Sequence, residues 1–163
     1  MKSLMFKFFL IGFLISIPGF IIAEDYNQAA GIRGGSLNGL TYKQFLSSES
    51  AFEGIVHSRW RGLQVTGLYE IHANAFEVDR LQWYYGAGAH LGLFNGYEDH
   101  PFFDEKDRNE SFVLLGVDAI IGIEYTIEEI PLIIGLDWKP EFNIVGHQGF
   151  WFGDTSLSIR YYW

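Results

Sequence analysis

Beyond its N-terminal segment the chain alternates apolar and polar side chains with a period of two, the pattern of strands with two unlike faces. The clearest stretch runs from Phe112 to Tyr125. There Val113, Leu115, Val117, Ala119, Ile121, Ile123 and Tyr125 form an apolar set, and Asp118 and Glu124 belong to the other. Pro131 to Ile144 repeats this, with Leu132, Ile134, Leu136, Trp138, Phe142 and Ile144 set against Gly135, Asp137, Lys139 and Glu141. In the last segment Leu157, Ile159, Tyr161 and Trp163 alternate with Asp154, Ser156, Ser158 and Arg160. Leu81 to Leu93, Leu63 to Asn74 and Ala51 to Trp60 follow suit, the last placing Glu53, His57 and Arg59 on one face. Two shorter stretches, Ala30 to Ser36 and Leu40 to Phe45, are weakly patterned.

The pattern predicts an all-β, eight-stranded antiparallel up-and-down barrel. About ten residues per tilted strand cross a bilayer, so residues 24–163 suit eight spanning strands. A soluble lipocalin-like ligand-binding barrel, with its apolar face inside, shows the same alternation. Three features favour the transmembrane arrangement. The bulky residues share one face, while Gly86, Gly88, Gly92, Gly116, Gly122 and Gly135 join the charges on the other. Tryptophans and tyrosines (Trp60, Trp83, Tyr84, Tyr85, Tyr125, Trp138, Trp151, Tyr161, Tyr162) gather near predicted strand ends, as at a lipid–water boundary. One long connection, 95–111, contrasts with short turns elsewhere and is expected on the outer side.

The N-terminal segment strengthens this picture. Lys2 and Lys7 precede an apolar run from Phe8 to Ala23, and Glu24-Asp25 follows. That is the make-up of a cleavable signal peptide over 1–23, with the barrel domain over 24–163. A retained anchor is the competing reading, but Pro18 and Gly19 interrupt a run already short of the roughly 18 residues a spanning helix needs. In the 163-residue chain, 18% of residues are aromatic and 19% charged, and the net charge is −9. That charge argues against nucleic acid as a partner. The lack of cysteine excludes a disulfide scaffold and thiolate metal sites.

The ending Leu157-Ser158-Ile159-Arg160-Tyr161-Tyr162-Trp163 resembles the C-terminal strand signature of outer-membrane β-barrel proteins. The whole of 24–163 is similar to the small OmpA/OmpX-type barrels, as are Gly122 to Pro131 and Leu136-Asp137-Trp138-Lys139-Pro140. The resemblance implies location in an outer membrane, and contact with its lipids and lipopolysaccharide. It also implies an assembly signal (Leu157, Ile159, Tyr161, Trp163) read by the barrel-assembly machinery. Functions in that family range over adhesion, envelope integrity and resistance to host defences, so fold does not name the activity.

The candidate chemistry lies on the polar face. A turn at Arg61–Gly62 would set Thr66 opposite His57 and Glu70 opposite Glu53, and the next turn would set Thr66 opposite His90 as well. The two histidines read as lumenal hydrogen-bonding groups, since a metal site there lacks a third ligand at convincing spacing. Facing carboxylates need a cation or a shared proton, and Arg33, Lys43 or Arg59 are within reach. A turn at Glu128–Glu129 would pair Asp118 with Lys139, and an outer loop after Val145 would pair Asp137 with Arg160. The polar network is therefore Glu53, His57, Glu70, His90, Asp118, Asp137, Lys139 and Arg160. The acidic loop 95–111, with Phe102 and Phe103, is a candidate for a surface ligand or calcium. A lipid A acyl-hydrolase reading rests on His147, but no serine lies near it; the nearest hydroxyls are in Asp154-Thr155-Ser156. The expectation is a monomeric, non-enzymatic barrel without cofactor, its interior plugged by paired charges, with a structural or surface-interaction role.

Overall fold

A computed structural model describes residues 27–59, 62–95, 111–146 and 149–163. The expected signal peptide, most of the loop 95–111, Trp60, Arg61 and His147 lie outside the described residues. The strands are β1 (Gln28–Gly35), β2 (Gly39–Ser47), β3 (Ser50–Arg59), β4 (Gly62–Asn74), β5 (Leu81–Asn95), β6 (Ser111–Ile127), β7 (Leu132–Trp138), β8 (Glu141–Val145), β9 (Gly149–Trp151) and β10 (Thr155–Tyr162). No helix occurs among the described residues.

Successive strands pair antiparallel, and β1 pairs with β10, so the sheet closes. β6 pairs with both β7 and β8, which are two stretches of one barrel strand interrupted at Pro140. β9 and β10 are likewise two stretches of the next, giving an eight-stranded barrel. Closure is complete down to the last residue, where Trp163 N donates to Gln28 O at 3.0 Å. Gln28, Trp163 and the turns 48–49, 75–80 and 128–131 gather at one end, here the terminal end. The opposite end, where Arg59, Asn95, Ser111 and Gly146 stand, is the loop end.

The side chains run inside out relative to a soluble core. Val65, Leu91, Val117, Ile121, Leu136, Leu157 and Ile159 are exposed around the wall, whereas four basic and seven acidic side chains are buried within it. Alternation fixes this: once Asp118 points inward, Val117 and Ala119 must point out. The interior is kept open for long side chains by glycine. A Cβ on Gly122 would lie 2.5 Å from the Tyr84 ring, and one on Gly135 would lie 3.1 Å from Arg160 Nη1.

Three expected registers are corrected. β3–β4 pairs Arg59 with Gly62, so Glu53 faces Leu68 instead of Glu70, and His57 faces Gln64 instead of Thr66. Gly62 is a strand residue lying against Phe94, where a Cβ would meet the ring at 2.1 Å; it is not half of a turn. β6–β7 pairs Ile127 with Leu132, which leaves Pro131, unable to donate to a ladder, in the turn. Asp118 then faces Glu141 instead of Lys139. β7–β10 pairs Asp137 with Ser156 and Arg160 with Ile133, four residues away from the expected register. Trp138 Nε1 bonds to Phe152 O, and Lys139 N to Asp154 O. An extra residue at 152–153 separates inward-facing Asp154 from half-buried Trp151, the geometry of a bulge. Tyr84 is also corrected: it is fully buried in the interior, outside any boundary girdle.

Candidate functional site

The interior holds two polar clusters at different heights. At the terminal end Lys43 is the hub, with Nζ 2.8 Å from Glu70, 3.0 Å from Glu124 and 3.3 Å from Glu53. Arg160 reaches Glu53 at 2.8 Å and Glu124 at 3.4 Å. Thr41 donates a short hydrogen bond to Glu53. His72 lies 3.2 Å from Glu70 and stacks on Tyr84, whose ring centroid is 4.0 Å from the Lys43 ammonium. All these groups are carried inward by the period-two faces of β2, β3, β4, β5, β6 and β10. Glu53 and Glu70 do meet, through Lys43, although they are not direct cross-strand partners.

Above this cluster Ile55, Leu68 and Ile120 form an apolar layer with Tyr84. Each belongs to the same inward set as the charges, one step further along its strand. Elsewhere in the wall, Arg33 forms a two-pronged pair with Asp137, Nη1–Oδ2 at 3.1 Å and Nη2–Oδ1 at 2.6 Å. Tyr84 donates to the same carboxylate at 3.0 Å, and Arg33 lies 3.9 Å from Asp154. Asp137 and Arg160 both point inward, but the expected pair between them is replaced by Arg33–Asp137 and Arg160–Glu53.

At the loop end Lys139 is the hub, 3.0 Å from Asp118, 3.1 Å from Glu141 and 3.3 Å from Asp154. The expected Asp118–Lys139 pair forms diagonally. His90 sits between Asp118 Oδ2, 2.8 Å from Nδ1, and Asn143 Oδ1, 2.8 Å from Nε2. Gln64 donates to Glu141 at 3.0 Å. Thr66 lies directly across from His90, as expected, and its buried hydroxyl has no hydrogen-bond partner. His57 is buried near this level, opposite Gly39 and Gln64. His90, Asp118 and Glu141 offer ligand atoms all within 4.8 Å of one another, a set that keeps one of the two histidines read from sequence and leaves out His57.

All eight network residues expected from sequence are therefore inside. Lys43 and Arg33, read from sequence only as cations within reach, complete the clusters with Thr41, Gln64, His72, Tyr84, Glu124, Glu141, Asn143 and Asp154; His72, Tyr84, Glu124, Glu141 and Asp154 carried the available signal of lying on the polar face of a strand. Leu157, Ile159, Tyr161 and Trp163 line one outward strip, with Tyr161 and Trp163 stacked at the terminal end. No protein-family model matches the sequence, and no curated protein matches it.

Proposed function

We propose that this barrel spans an outer membrane as a monomer, plugged by its own side chains, and serves a structural or surface-interaction role. The observation that carries the reading is the inversion of polarity. Large apolar side chains cover the outside of the wall, and fully buried Lys43, Lys139 and Arg160 occupy the inside. In water such a wall exposes a continuous apolar surface far beyond ordinary patch size. In hydrocarbon it is the expected face, and closure leaves no strand edge to satisfy. Trp83, Tyr125, Tyr161 and Trp163 stand outward toward the terminal end, and Tyr85 and Trp138 stand outward at one level further along the wall, both across from Ile121. An aromatic belt at a lipid–water boundary accounts for the first group.

A soluble ligand carrier is supported less well, because its interior would have to shed charges in order to hold an apolar guest. With ion pairs from wall to wall, the proposed role is presentation of the loop end outside the cell, not passage of solutes. Lipids and lipopolysaccharide would be the immediate neighbours, and the Leu157–Ile159–Tyr161–Trp163 strip the proposed contact for assembly machinery. Membrane fractionation followed by gel migration with and without heating tests this. The expected result is recovery with outer membranes and a faster-moving unheated band. Recovery as a detergent-free soluble protein would overturn it.

A further inference from the structure

We propose that the loop-end cluster is a binding site for one divalent cation of the zinc class, ligated by His90, Asp118 and Glu141. The charge count motivates it. With the adjoining Arg33–Asp137 pair counted, since that guanidinium lies 3.9 Å from Asp154, the carboxylates of Asp118, Asp137, Glu141 and Asp154 face two cations, Lys139 and Arg33, which leaves two negative charges uncompensated among the described residues here. Buried carboxylates without compensation are costly, and a divalent ion carries the missing charge.

The ligand chemistry points the same way. His90 directs Nε2 at the Asn143 carbonyl oxygen, 2.8 Å away, and a proton on that nitrogen makes this contact a hydrogen bond. In the neutral ring Nδ1 then faces Asp118 Oδ2 at 2.8 Å as a second acceptor, a contact that needs either a proton on Nδ1 or a cation between the two atoms. A metal ion is one way to resolve it, and a carbonyl accepting from the far ring nitrogen is the usual support of a metal-bound histidine. Zinc bonds of about 2.0–2.2 Å in tetrahedral array set ligand atoms roughly 3.4 Å apart, so only small adjustments are needed. Lys139 holds the other oxygen of Asp118, Oδ1, together with Asp154, and can keep both. The fully buried Thr66 hydroxyl, directly across the ladder from His90, has no hydrogen-bond partner and is left over for a further ligand or a bound water. The ion would tie β5, β6 and β8 together where β8 leaves the regular ladder of β6.

The competing arrangement puts a proton on Nδ1, either in an imidazolium that donates to both neighbours or in a neutral ring with the Asn143 amide turned over. In neither form does it bind metal. Zinc titration of the folded full chain against a chromophoric chelator separates the two, using protein purified from whichever cell fraction holds it. The expected result is one zinc per chain in the wild type. Glu141→Gln should weaken binding at least 10-fold, as should His90→Gln where it folds, and His57→Gln should leave it unchanged. Unheated gel migration checks that each variant is folded. No stoichiometric zinc in the wild type, or equal affinity in wild type and Glu141→Gln, would overturn the proposal.

Discussion

The two ends of the interior solve the problem of buried charge differently. At the terminal end two cations, Lys43 and Arg160, share three glutamates, and Glu53 and Glu124 each touch both. At the loop end Lys139 serves three carboxylates, Arg33 reaches only one of them, Asp154, at 3.9 Å, and the remaining partners (His90, Asn143, Gln64) carry no fixed charge. The first leaves one surplus negative charge, with Glu70 Oε1 and Glu124 Oε1 lacking a hydrogen-bond partner, but every glutamate in it touches a cation. The second holds surplus negative charge close to the mouth, where Glu141 keeps 5% of its surface exposed and Lys43 keeps none. A plug needs only the first kind; a site that takes something up needs the second.

Removing the hub of each cluster is the most direct way to break this contrast. Lys43→Met strips the shared cation from three buried glutamates and should destabilise the barrel by about 3–5 kcal/mol, read by urea unfolding in lipid vesicles. Lys139→Met should cost less, about 2 kcal/mol, because its carboxylates lie nearer the mouth and can regain water or counter-ions. If Lys139→Met proves the more damaging, the loop-end cluster is the structural plug and the assignment is reversed.

A charge on the outer wall gauges the same end of the barrel from the opposite side. Val117 adjoins Asp118 in sequence and points away from it, 46% exposed. Val117→Arg should cost about 2–4 kcal/mol if the wall lies in hydrocarbon near the bilayer midplane. In a water-facing wall the change would be nearly neutral, so a harmless Val117→Arg in reconstituted vesicles would count against membrane insertion.

The faces of the strands were legible because a period of two survives any even shift of register. Asp118 and Lys139 still meet two residues out of step, since diagonal neighbours on one face are within reach of long side chains. The registers themselves were not legible where a turn residue misled. Gly62 reads as turn chemistry but is the place where Phe94 packs closest, and Pro131 extends a turn that its acidic neighbours suggested was tight. Cross-barrel partners were the least legible. Arg160 and Glu53 are 107 residues apart, on strands separated by β1 and β2. Which inward groups face each other across the interior depends on the summed stagger of every hairpin, so errors in three registers accumulate.

The smallest expected effect concerns the link between the two ends. Arg33–Asp137 joins β1 to β7 across β10, and it contacts Tyr84 of the terminal end and Asp154 of the loop end. The guanidinium fork meets both carboxylate oxygens, the geometry in which an ion pair is strongest. Its net worth is still modest, since both groups lose water on burial and each has a second partner to fall back on. A double-mutant cycle with Arg33→Met and Asp137→Asn should therefore give a coupling of about 1–2 kcal/mol, measured by unfolding in vesicles. The same cycle between Asp137 and Arg160 should give a distinctly smaller value, because Arg160 is engaged by Glu53 and Glu124. Equal couplings for the two pairs would mean that the arginines exchange partners, and that the two clusters behave as one network despite the Ile55–Leu68–Ile120 layer between them.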